Sequence, residues 1–312
     1  MSVRVAFLGD TMLGGAAQRL LDRYGYDYPL ARIRCLWSDA DLVVANHEAP
    51  VTRRGAPAAK QDTGAPRYWY RADPHSVHTL ATHGVGVVSL ANNHVGDFGD
   101  DGVLDTMTAL DAAGIAHCGA GSTDTEARRP AVVQVGGLRL GFLSVMQRYD
   151  MYVTEGTYAR RGHPGPARLR MSRLGPDIAA LRERVDVCVV LVHWGRNYRE
   201  VTPLQQRLAK EVAAAGPDLV VGHHPHVAQP LAHVDGVPVL YSLGNAAFGT
   251  RGRFGSDAPP YGLVAVADLD RHRVAGLDLR LVEVDNTVVG YQPRPATGPE
   301  AEAFLAGLWP VV

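Results

Sequence analysis

The chain has 312 residues, 46% of them hydrophobic and 20% charged, with a formal net charge of −1. That balance supplies no basic face for nucleic acid and no charge excess that would draw the chain to a membrane surface. No stretch approaches the ~18 uninterrupted apolar residues of a membrane span. The short apolar run before Gly9 is too brief for a secretory signal.

In chain order, VRVAFLG (3–9) reads as a buried strand and AAQRLLDRYG as the helix after it. DLVVANHE (41–48) is a second strand, PHSVHTLATHG (74–84) has helical spacing, and VGVVSLANNH (85–94) is a third strand. GVLDTMTALDAAG (102–114) reads as a helix ending at the capping position of Gly114. LRLGFLSVM (138–146) and VDVCVVLVHWG (185–195) are further strands, separated by a long irregular segment. TPLQQRLAKEVAAAG (202–216) is an amphipathic helix, DLVVGHH and VPVLYSLGN (237–245) are strands, and 263–286 alternates like an antiparallel hairpin. Strand–helix alternation over most of the length predicts an α/β fold, and the late hairpin a mixed or two-sheet core. With no repeat or low-complexity linker, one domain over 1–312 is expected. Residues 53–73, 147–176 and 249–261 are long enough to be lids or binding loops. Cys35, Cys118 and Cys188 are odd in number and far apart, so they suggest neither a disulfide framework nor a thiolate metal motif. A reducing cytoplasm is the compartment expected from them.

Each strong strand ends in polar residues: Asp10 after the first, His47 and Glu48 after the second, Asn93 and His94 after the third. His193 and then His223, His224 and His226 follow. Taken singly, Asp10 or Asn93 would cap a helix and His193 would be a hydrogen-bonded core histidine. Ligand sites of α/β sheets lie beyond the carboxyl ends of the strands, and five strands deliver Asp, Glu, Asn and His there. That set points to a divalent cation: Mn²⁺, Zn²⁺, Mg²⁺ or Ca²⁺.

The ordered motifs GDTMLGG, NHEAPVT, SLANNHVGDFGDDG, AHCGAG, VHWG, GHHPHVAQ and YSLGN resemble the CapA family over about residues 4–250. These are poly-γ-glutamate capsule-synthesis proteins whose fold resembles the calcineurin-like metallophosphoesterases. The resemblance implies Asp10 as the first aspartate, Glu48 as the bridging acid, Asn93 and His94 as the N-H pair, and His193 as the lone ligand. His224 and His226 would close the set as two ligands on an extended strand end, with His223 pointing away. The histidine two residues after the first aspartate is replaced by Met12. In the two-metal pattern it shares one ion with Asp10 and His226, while Glu48, Asn93, His193 and His224 hold the other. One firm ion is therefore expected, leaving Asp10 and His226 as an acid–base pair beside it. His94 and Asp97 offer a second such pair, although Asp97 also suits a turn before Gly99. His47 and Asn197 depart from the usual pattern of the family.

The loops suggest an anionic substrate. Trp69 and Arg71 in RYWYR, and Arg148 among the arginines of 148–173, offer aromatic surface and carboxylate-binding forks. Packing and solvated loop charge are the plain alternatives. Together these features favour a metal-dependent peptide epimerase resembling the lasso-peptide branch of the family. It would invert a Cα centre, at the C-terminal residue of a ribosomally made precursor, with no nucleic-acid or membrane partner. A CapA-like enzyme of poly-γ-glutamate or another amide polymer, a phosphoester hydrolase, and a binding module with a structural ion are the alternatives.

Overall fold

The computed structural model describes residues 2–62, 64, 66–252, 258–271 and 273–309. Parts of three sequence-predicted features lie outside those residues: 63 and 65 of the first long loop, 253–257 of the third, and 272 of the hairpin. So do Met1 and residues 310–312 of the expected 1–312 unit.

The first sheet is built on β1 (Ser2–Met12), which lies parallel to β2 (Leu42–His47), followed by β3 (Val85–Ser89) and β4 (Ala116–Cys118). The second has β5 (Ala131–Val135) antiparallel to β6 (Leu138–Met146), then β7 (Val187–His193) and β8 (Leu219–His223) in parallel. It is completed by β9 (Ala228–Val234) and β10 (Val237–Leu243), giving the order β9-β10-β8-β7-β6-β5. The chain then returns to the first sheet. On the edge of β1 away from β2, β11 (Asn245–Phe248) pairs with the end of β1, and β12 (Tyr261–Asp270) with β13 (Arg273–Glu283) form the expected hairpin along the rest of it. Both sheets are mixed, with parallel centres.

Burial on both faces explains why the strands read as nearly continuous apolar runs. Alternation sends Val5, Phe7, Val44 and Val87 into a core shared with Leu140, Phe142, Val189, Leu191 and Val221 of the other sheet. Ala6, Leu8, Val43, Ala45 and Val88 point outward, where they pack with Val77, Leu80, Val103 and Leu110 of helices α1 (His75–Thr82) and α2 (Gly99–Ala112). Leu143, Val190 and Val220 pack likewise on helices α3 (Met171–Arg182) and α4 (Pro203–Ala214). Each fully buried side chain of this size contributes about 1.5–3 kcal/mol. The result is helices, sheet, sheet, helices.

Helix α3 corrects the sequence reading, which left 147–184 irregular. Gly175-Pro176 looks like a breaker, and Pro176 does sit inside the helix without an amide to donate. Burial of Leu174, Ile178 and Leu181 against the second sheet outweighs that loss. Among the described residues, no helix is long and apolar enough to cross a membrane.

Candidate metal centre

All the polar strand ends meet at one edge of the two sheets. At Gly9 a Cβ would come within 2.2 Å of the Gly244 carbonyl oxygen, so only glycine allows this approach. The ladder with β2 shifts register there, and the Asp10 amide donates to Gly244 O at 2.8 Å. Glu48 follows β2 with its amide on Thr11 O at 2.8 Å. After β3, Asn92 Oδ1 accepts from the amides of His94 (3.1 Å) and Val95 (2.9 Å), which fixes the turn carrying Asn93 and His94. His193 ends β7, in register with His223 of β8.

The extended strand expected under His224 and His226 is not what forms. The strand stops at His223, and His224 and His226 have φ of +99° and +60°. Left-handed backbone at two non-glycine residues costs on the order of 1–3 kcal/mol each and persists where function holds it. His223 also differs from expectation: its Nδ1 lies 3.2 Å from Asp10 Oδ1.

Four side chains crowd one point. His193 Nε2 is 2.8 Å from Asn93 Oδ1, 3.0 Å from His224 Nδ1 and 3.7 Å from Glu48 Oε1. An amide oxygen, a carboxylate oxygen and two ring nitrogens have few protons among them, and their facing lone pairs suit a cation. Ligand atoms of Glu48, His224 and His226, and of Asp10, Glu48 and His193, lie within 4.8 Å of one another. Glu48 is common to both groups, which cut across the division that the two-metal pattern implied. Burial, then the neighbouring His224, hold the His193 pKa well below its usual value, so the ring stays neutral and able to ligate.

Asp10 is a hydrogen-bond hub. Its Oδ1 takes Asn46 Nδ2 at 2.8 Å and lies by His223; its Oδ2 is 3.2 Å from the His224 amide and from His226 Nδ1. Burial alone would raise its pKa, but the hydrogen bonds and charges of His223 and His226 outweigh it and hold the carboxyl well below the usual range. His226 Nδ1 also meets Asn245 Oδ1 at 3.0 Å, and its Nε2 lies 3.8 Å from Glu48 Oε1.

His94 stands at the rim. Its Nδ1 is 2.6 Å from Asp97 Oδ2, which also accepts from the Tyr70 amide at 2.7 Å. Asp97 Oδ1 meets Lys60 Nζ at 2.6 Å. Burial lowers the His94 pKa, partly offset by Asp97. His94, Asn93 and His224 line a cleft of about 420 Å³ with Lys60, Tyr149 and Tyr152, and Arg67 and Arg196 also border it. The Tyr149 ring packs 5.4 Å from that of His224, and its hydroxyl donates to Gly195 O at 3.0 Å.

Comparison with known proteins identifies the family of the chain. Residues 4–250 match the family model described as "Bacterial capsule synthesis protein PGA_cap". The chain belongs to that family. It is 30% identical over 250 residues to "Capsule biosynthesis protein CapA" of Bacillus anthracis, covering 78% of this chain and 59% of that protein. It is 29% identical over 249 residues to "PGA biosynthesis protein CapA" of Bacillus subtilis (strain 168), covering 78% of this chain and 62% of that one. The chain thus spans about three-fifths of the length of these CapA relatives.

The CapA-like motifs therefore bring Asp10, Glu48, Asn93, His193, His224 and His226 together, with His94 and Asp97 beside them. Met12 fills the place of the missing histidine and packs into the outer core instead. The loop residues fall elsewhere. Trp69 and Arg71 border a neighbouring groove of about 410 Å³; Trp69 Nε1 donates to Ala58 O, and Arg71 stacks on Phe98. Arg148 is exposed and paired with Asp150. Asn197 does line the cleft. His47 is fully buried, neither ring nitrogen has a hydrogen-bond partner among the described residues, and burial pulls its pKa to about 4.

Sequence reasoning missed Lys60, Tyr149, Tyr152 and Asn245. Asn245 sat inside a quoted motif without a role. Lys60 carried one signal: it is one of only two lysines among 31 basic residues.

Proposed function

We propose that this chain is a metal-dependent CapA-type enzyme acting on poly-γ-glutamate or a related carboxylate-rich amide polymer. The observation that carries the reading is the convergence of Glu48, Asn93, His193 and His224, of which Asn93 and His224 reach a cleft lined also by His94, Lys60, Arg67 and Arg196. The names of the relatives, one a PGA biosynthesis protein, support the polymer as substrate.

Glu48, Asn93, His193 and His224 would hold one divalent ion, with His226 Nε2 at its border. When bound, that ion supplies a Lewis acid for a carbonyl oxygen. His94, with Nδ1–H on Asp97, keeps the Nε2 lone pair for the cleft and gives or takes a proton there. Arg67 and Arg196 receive carboxylates of the polymer at the mouth. Tyr149 and Tyr152 wall the inner side against water. The sequence reading put a peptide epimerase first; the comparisons favour the polymer enzyme that stood second. One observation keeps proton exchange at Cα as a second reading: His94 has Nδ1 2.6 Å from Asp97, and His226, like His223, has Nδ1 3.2 Å from Asp10.

One experiment separates the readings. The protein is incubated in D₂O with poly-γ-glutamate, with a carboxylate-ended peptide and with an aryl phosphate ester, each under Mn²⁺, Ca²⁺, Zn²⁺ or Mg²⁺. The polymer reading expects a change in chain length by size-exclusion chromatography, without deuterium at Cα. Deuterium at Cα with length unchanged replaces it by the epimerase. Turnover of an aryl phosphate alone replaces both by a phosphoesterase.

A further inference from the structure

We propose that Lys60 is a positioning residue that fixes the tautomer of His94 through Asp97. The proposal rests on the reading of His94 as the proton-transfer group of the cleft.

The ammonium is built in rather than solvated. The Lys60 side chain is 14% exposed and that of Asp97 only 1%, with Nζ to Oδ1 at 2.6 Å. The same Nζ donates to the Tyr68 carbonyl at 2.5 Å and stands 5.4 Å from the Trp69 ring centre. The loop is pinned on the same aspartate. The Ala58 amide donates to Asp97 O at 2.9 Å, the Tyr70 amide to Oδ2 at 2.7 Å, and Trp69 Nε1 to Ala58 O at 2.8 Å.

A buried carboxylic acid can meet an imidazole in two ways. As an anion it only accepts, so His94 must carry its proton on Nδ1 and leave Nε2 as a base. As a neutral acid it donates to Nδ1, and the ring proton moves to Nε2, where it disables the base. The ammonium held 2.6 Å from the other oxygen is the ion-pair partner of a carboxylate that accepts on both oxygens. Lys60 thus selects the first arrangement.

The choice of lysine fits this role. In a chain with two lysines among 31 basic residues, arginine is the habitual cation. An arginine fork would span both carboxylate oxygens, and Oδ2 is already used by His94 and the Tyr70 amide. A point charge takes Oδ1 and leaves Oδ2 to the histidine.

The test compares wild type with Lys60→Gln, which keeps a hydrogen-bond donor and removes the charge. Long-range ¹⁵N–¹H NMR of histidine-labelled full-length protein reads the His94 tautomer, calorimetry reads Mn²⁺ affinity, and poly-γ-glutamate is the kinetic probe. The expected result is Nδ1–H in wild type and a shift toward Nε2–H in the variant. Mn²⁺ affinity should be unchanged, and kcat should fall by roughly 10-fold or more at constant KM. Retention of Nδ1–H in Lys60→Gln overturns the proposal. So does a raised KM with intact kcat, which makes Lys60 a substrate contact, or loss of Mn²⁺ binding, which makes it a loop anchor. If Lys60→Gln does not fold, Lys60→Arg takes its place: its fork should displace His94 from Oδ2, and an unchanged tautomer counts against us. If wild type leaves the polymer untouched, the proposed function falls, while the tautomer comparison still decides the role of Lys60.

Discussion

Two histidine–carboxylate pairs stand at one centre, and their surroundings divide them. In the inner pair, Asp10 is fully buried and both its oxygens are occupied, and His226 turns Nε2 toward Glu48. In the outer pair, Asp97 hangs between a loop lysine and a backbone amide, and His94 borders the cleft. The chemistry of the couple is the same in both: an acceptor on Nδ1 settles which ring nitrogen is left with a lone pair. What that nitrogen faces sets the role. Facing a carboxylate among ligand atoms, it would orient toward a cation in the proposed centre, as carboxylate–histidine–metal arrangements do. Facing a cleft, it would handle protons in the proposed enzyme.

The largest expected effect comes from the floor on which both pairs rest. His224→Ala removes a donor outright, so its Mn²⁺ affinity in calorimetry should fall by more than the roughly 10–100-fold typical of supporting residues, and turnover with it. The comparison is then sharpened by His94→Ala, expected to lose roughly 10²–10⁴-fold in turnover with Mn²⁺ affinity unchanged. His226→Ala should lose both. If His94→Ala releases the metal and His226→Ala keeps it, the two pairs have been assigned the wrong way round.

How far this division could be read from the sequence differs between the pairs. Strand periodicity and the polar residues after each apolar run located Asp10, Glu48, Asn93 and His193, because parallel strands carry their ends to one edge. His224 and His226 were expected on an extended strand end and take left-handed backbone instead, a conformation that residue spacing does not encode. Lys60 lies on a loop, and Tyr149 and Tyr152 cap and enter a five-residue helix, Asp150–Thr154; in neither segment does periodicity report which side chain turns inward. The same gap misled the choice of Trp69, Arg71 and Arg148: composition names arginines and aromatics, but their partners in the fold, Phe98, Asp150 and the Ala58 carbonyl, lie away from the cleft wall. Helix α3 was hidden by a glycine–proline dipeptide that buried leucines overrule.

A smaller effect tests the inner pair as a scaffold. Asp10→Asn leaves Asn46, His223 and His226 facing an amide, so it should cost about 1–3 kcal/mol of stability at neutral pH. Because the folded carboxyl lies below its usual range, the stability it adds is present above that range and lost as pH falls through the folded value. The difference between wild type and Asp10→Asn in urea titrations should therefore close below about pH 4. A difference that stays constant with pH would mean that Asp10 is not held as an anion.

The smallest effect lies just behind the floor, at His47. Its folded pKa of about 4 lies below the ordinary 6.5, so the unfolded chain takes up a proton in that window and the folded one does not. Stability from this residue is complete above pH ~6.5 and declines as pH falls, by about 1.4 kcal/mol per pH unit, until the folded ring titrates. Metal-free protein should thus lose about 2 kcal/mol more between pH 8 and pH 5 than a His47→Leu variant does. His193 and His94, also depressed, titrate in both proteins and cancel in the difference. Equal acid sensitivity of the two proteins would mean that the His47 ring finds a proton acceptor or water in solution. Its place between Asn46 and Glu48 would then belong to the hydrogen-bonded network of the centre rather than to the core behind it.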